Sequence, residues 1–119
     1  MTQHDPALYL SHIIESAGLV ESYVRTLTVE AFREDQQRQD AVVRRLEIMG
    51  EAVKHLPDSI REANPHVPWR RIAGMRDKVI HDYIGLDVDL VWTVATTMMS
   101  KLKADVQAIL EQLPSDGAV

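Results

Sequence analysis

Apolar residues return at three- and four-residue steps through three long stretches of this 119-residue chain, and proline or a capping residue closes each stretch. That period is the signature of helices with one buried face. Asp5-Pro6 reads as an N-cap followed by proline at the first helical position, and Leu10, Ile13, Ile14, Ala17, Val20 and Val24 then fall on one face. Thr28 can cap a short turn through Phe32. A second long helix is expected from about Asp35 to Leu56, with Val42, Leu46, Met49, Val53 and Leu56 inward and Arg44, Arg45, Glu47, Glu51 and Lys54 on other faces. Pro57 ends it. Asp58 or Ser59 is expected to cap a short helix closed by Asn64-Pro65, and Pro68 to open another through Trp69, Ile72, Met75, Val79 and Ile80, broken by Gly85. Asp87 caps the last long helix, Val88 to about Leu113. Its two apolar bands exceed what one neighbouring helix needs, so it is either central in the bundle or faces a second subunit. The pairs Thr96-Thr97 and Met98-Met99 are expected to be filler within it. No segment shows sustained strand alternation. The expected fold is all-α, an up-and-down bundle of four to five helices, in one domain over 1–119 with a flexible tail at 114–119.

The function classes narrow quickly. There is no cysteine, hence no disulfide scaffold, cysteine-based zinc site or thiol nucleophile. His4, His12, His55 and His66 lack metal-ligand spacing, and no phosphate-cradling glycine loop or Ser-His-Asp arrangement is present. No apolar run approaches the ~20 residues of a membrane span, and the N-terminus does not resemble a signal peptide, so a cytosolic protein is expected. Net charge is −5, which disfavours a general polyanion-coating role but leaves room for a local basic site. Arg61, Arg70, Arg71, Arg76 and Lys78 concentrate between Pro57 and Tyr83, a grouping suited to one RNA strand or a nucleotide phosphate.

Arg76 is the anomaly. It lies seven residues after Trp69 and seven before Tyr83, on what reads as one apolar stripe. A guanidinium there requires a carboxylate, a phosphate or water in a cleft. A structural ion pair to Glu47 or Glu51 would satisfy it as well as a ligand would. His81 follows five positions later, about 140° around an ideal helix, so the two could flank one groove if the helix ends there. Asp77 and His81, at i and i+4, could meet directly. An arginine and an aspartate-held histidine form a kit for phosphodiester chemistry, with guanidinium on the phosphate and imidazole moving a proton. His81 could equally be a helix-end histidine complementing the helix dipole.

The segment from Pro68 to Tyr83 resembles the signature of HepT-like proteins in the HEPN superfamily: arginine, four residues, histidine, one residue, tyrosine, here Arg76, His81 and Tyr83. The run Arg45 to Ala52 and the residues from Asp87 to Trp92 also resemble the family pattern, so the likeness spans nearly the whole chain. It implies a helical bundle that dimerises, with Arg76 and His81 of both subunits lining a shared cleft, and metal-independent ribonuclease activity without a cofactor. It also implies a toxin paired with a small MNT-type nucleotidyltransferase antitoxin, which moves AMP from ATP onto Tyr83 and so silences the toxin. Arg70, Arg71 and Lys78 would contact RNA phosphates, and Asp77 would support catalysis. The residue after the motif arginine is often asparagine in the family. Asp77, in its place, can hold His81 or repel phosphate. The alternative is a non-catalytic helical module that binds a nucleotide or a nucleotidyltransferase partner.

Overall fold

The computed structural model describes residues 5–81 and 85–114; the expected tail beyond Pro114 lies outside them. The chain runs through α1 (Pro6–Val24), α2 (Val29–Arg33), α3 (Gln36–His55), α4 (Asp58–Ala63), α5 (Trp69–Ala73), α6 (Met75–Val79), β1 (Ile80–His81), β2 (Gly85–Leu86), α7 (Val88–Thr97) and α8 (Met99–Gln112). The fold is the all-α bundle expected from the periodicity. Four of its helices start where a side chain accepts a backbone N–H: Ala7 N–H donates to Asp5 Oδ1 at 3.0 Å, Ala31 N–H to Thr28 Oγ1 at 3.1 Å, Arg38 N–H to Asp35 Oδ1 at 3.0 Å and Leu90 N–H to Asp87 Oδ1 at 3.1 Å. Each bond satisfies one of the donors that a helix start leaves without an intrahelical partner.

Helix α1 packs along both α3 and α8, and α3 carries α5 and α6 on another flank. The core is one cluster in which Leu10, Ile13, Val20, Phe32, Val42, Val79, Val91 and Val106 are fully enclosed. Helix α2 is held by Phe32, whose ring lies 5.3 Å from that of Trp92, and by Gln39 Nε2, which donates to the Phe32 carbonyl at 2.8 Å.

Four local expectations need correction. Pro57, not Asp58 or Ser59, is the N-cap of α4; no side chain caps it and Asp58 sits in its first turn. The last long helix is interrupted at Met98. There the hydroxyls of Thr93, Thr96 and Thr97 donate to the carbonyls of Asp89, Trp92 and Thr93, a back-bonding pattern that bends helices, so the threonines are not filler. The helix expected after Pro68 breaks at Gly74, whose φ of −96° and ψ of 5° leave the helical region. It then ends at Val79 rather than continuing to Gly85. Ile80 and His81 become extended and pair antiparallel with Leu86 and Gly85, and Asp87 N–H donates to the Val79 carbonyl at 2.7 Å. Gly85 supplies the positive φ of 92° that this short pairing uses.

Candidate active site

The break at Gly74 decides what Arg76 faces. A single continuous helix would put Arg76 between Trp69 and Tyr83 on the apolar stripe. In α6 the inward pair is instead Met75 and Val79, both buried, while Arg76, Asp77 and Lys78 point outward. The Arg76 side chain is 57% exposed, and its Nε–H donates to Glu47 Oε2 at 2.7 Å. It is therefore neither sealed in the core nor unpartnered. Glu47 belongs to α3, one turn before Gly50. At Gly50 the backbone of α5 comes so close that an added Cβ would lie 3.2 Å from the Ile72 carbonyl oxygen and 3.3 Å from that of Ala73. That contact carries the α5–α6 corner against α3 and brings Arg76 within reach of Glu47. Arg76, Arg44 and Lys54 line a cleft of about 230 Å³ together with Glu47 and Glu51, and Glu51 pairs with Lys54.

A larger depression of about 870 Å³ opens beside it, and Ala73 borders both. Its walls bring together Arg61, Arg70, Arg71 and Lys78 with Pro68 and Trp69, and among the described residues no carboxylate lines it. Arg61 pairs with Asp58 at the rim. The Trp69 indole is fixed from inside, its Nε1–H donating to the Asn64 carbonyl at 2.9 Å. The structure thus gathers Arg70, Arg71 and Lys78, three of the cations singled out in the sequence, into one groove on an acidic chain. Such a groove attracts phosphates.

The proposed pairing of Asp77 with His81 through helical spacing needs correction. The helix that would join them ends at Val79, and His81 belongs to β1. Asp77 is 88% exposed, and its Oδ1 lies 4.0 Å from the nearest Arg76 nitrogen. The backbone of His81 is fixed by its pairing with Gly85, two residues past the end of α6. Tyr83 lies outside the described residues. Arg44 was assigned in the sequence only to an outer helix face. Its NH1 stands 3.8 Å from Glu47 Oε1, which places it at the Arg76 cleft. The i,i+3 spacing of Arg44 and Glu47 on one helix signals the pair but not the cleft, which forms only when α6 folds back on α3.

Among the described residues no group of histidine, aspartate and glutamate is arranged to hold a metal, and no helix is long and apolar enough to cross a membrane. Asp89 is held below the usual carboxylate range by the bond from Arg33, whose guanidinium is raised in turn.

Comparison with known proteins settles the kinship. The family described as "Ribonuclease HepT-like" matches residues 13–109. The chain belongs to the HepT-like ribonuclease family. It is 42% identical over 95 residues to the "Probable ribonuclease HepT" of Thermococcus cleftensis, covering 80% of this chain and 86% of that one. It is 40% identical over 107 residues to a "Putative RNase" of Caldanaerobacter subterraneus subsp. tengcongensis, covering 90% and 96%. A Methanocaldococcus jannaschii protein named "Gamma-glutamylcyclotransferase and putative RNase" is 44% identical over 109 residues; these are 92% of this chain but only 49% of that protein, so this HepT-like chain spans about half its length. No solved structure matches. Every element that builds the Arg76 cleft, from α3 to α6, lies within the segment matched to the HepT-like family.

Proposed function

We propose that this protein is a metal-independent endoribonuclease toxin, with Arg76 and His81 as its catalytic groups. The observation that carries this reading is the guanidinium of Arg76. It is braced on one side, solvent-reachable on the other, and stands next to a basic groove in a chain of a ribonuclease family. RNA needs no external nucleophile, because the ribose 2′-hydroxyl can attack the adjacent phosphate. His81 removes or returns a proton, and Arg76 stabilises the charge that develops on the phosphoryl oxygens. Arg70, Arg71 and Lys78 hold the flanking phosphates of the strand. Asp77 supports the site from beside Arg76. Two copies of the chain build a shared cleft, in which the second His81 fills the complementary acid–base role.

Control falls to an MNT-type nucleotidyltransferase antitoxin that transfers AMP from ATP to the Tyr83 hydroxyl, releasing pyrophosphate. The added phosphate then competes for Arg76 with the RNA backbone. Intact-mass measurement after co-expression with such a transferase is expected to show added AMP, and Tyr83→Phe to abolish the addition. An unchanged mass would remove this control.

The nuclease reading is tested with labelled RNA, purified protein and a chelator. The expected products end in 2′,3′-cyclic phosphates, the mark of 2′-hydroxyl attack. Intact RNA would overturn the reading.

A further inference from the structure

An arginine side chain carries five N–H donors in a planar fork. In Arg76 the Nε–H is taken by Glu47 at 2.7 Å. NH1 lies 4.0 Å from Asp77 Oδ1, too far for a hydrogen bond. Among the described residues no hydrogen bond occupies the terminal NH1/NH2 edge, which can meet a planar pair of phosphate oxygens, the geometry in which guanidinium binds phosphate best. Such a division of labour needs a rigid anchor. Arg76 sits on a helix of five residues, whereas Glu47 belongs to the twenty-residue α3 and its side chain is only 28% exposed. A carboxylate beside a phosphate site would ordinarily repel the ligand. Here its second oxygen, Oε1, faces Arg44 NH1 at 3.8 Å, so guanidiniums on two sides offset its charge.

We propose that Glu47 is a positioning residue of the nuclease site: it grips Nε of Arg76 and turns the terminal edge of the fork toward the scissile phosphate. Glu47 acts through Arg76 and does not itself touch RNA. This inference rests on the nuclease reading above. A brace of this kind affects turnover more than strand binding, because the groove with Arg70, Arg71 and Lys78 holds the strand independently.

The test combines cleavage kinetics on RNA with an NMR observation of the Arg76 Nε–H, assigned by its disappearance in Arg76→Lys. In Glu47→Ala, kcat is expected to fall about 10²-fold, the scale of a misplaced catalytic group, with KM nearly unchanged. The Arg76 Nε–H is expected to lose its protection from solvent exchange. Glu47→Gln keeps a neutral oxygen acceptor for the still-charged guanidinium, and is expected to recover most of the turnover. Wild-type cleavage by Glu47→Ala alongside an inactive Arg76→Ala would overturn the role of Glu47 and leave that of Arg76 standing. Wild-type cleavage by both would overturn the nuclease site itself. A folded Glu47→Gln as impaired as Glu47→Ala would also overturn the role, since the acceptor would then be present without effect.

Discussion

Arg76→Ala is expected to slow RNA cleavage by about 10²–10³-fold, the usual cost of removing one preorganised donor to a developing oxyanion. The same change should leave the fold intact. Arg76 is 57% exposed, and its ion pair with Glu47 bridges two surface elements. Ion pairs of that kind contribute about 0–1 kcal/mol. Loss of activity without loss of structure is thus the specific expectation, read by single-turnover cleavage beside a thermal melt. Arg76→Lys keeps the positive charge but lacks the fork, so it should fall between wild type and alanine. A melt that collapses in Arg76→Ala would show that the side chain serves the fold. Unchanged cleavage would remove it from the chemistry.

Gly50→Val is expected to destabilise the fold substantially. The valine Cβ would stand 3.2 Å from the Ile72 carbonyl oxygen and 3.3 Å from that of Ala73, and both are backbone atoms that cannot swing aside. The branched methyl groups beyond it demand more room still. Overpacking of this kind costs typically ~1–3 kcal/mol, and the upper end applies where backbone must move. At roughly 4 °C for each kcal/mol in a chain of this size, the melt should drop by about 8–12 °C. Displacing the α5–α6 corner also draws Arg76 away from Glu47, so cleavage should fall in molecules that remain folded. Gly50→Ala should be much milder, because alanine's better helix propensity, worth up to ~1 kcal/mol, offsets part of the strain. An unshifted melt in Gly50→Val would mean that α3 and α5 do not approach as closely as described.

These two residues mark the boundary of what the sequence makes legible. The helix starts at Asp5, Thr28 and Asp87 could be placed because a cap bonds to backbone within three residues of itself. The buried faces of α1 and α3 could be placed because the period of apolar residues is a local property. The corner at Gly74 could not. One glycine within a helical pattern usually costs propensity without breaking the helix, and here the break is fixed by contact with α3 across more than twenty residues of chain. With the corner misplaced, Arg76 looked like a charge inside an apolar stripe and Asp77 like the natural partner of His81. The ion pair with Glu47 stood among the options, whereas the proximity of Arg44 did not. The run Arg45 to Ala52 entered only as a likeness to a family; the physical reason for Gly50 within it is that a side chain there would strike the carbonyls of α5.

The most direct test of the central claim is the cleavage rate of purified His81→Ala on a defined RNA, measured beside wild type at equal folded concentration. The imidazole is assigned the proton transfer, a role that typically contributes ~10²–10⁴-fold. A loss of that size, with RNA affinity and the thermal melt preserved, is the predicted result. Cleavage by His81→Ala at the wild-type rate would contradict it.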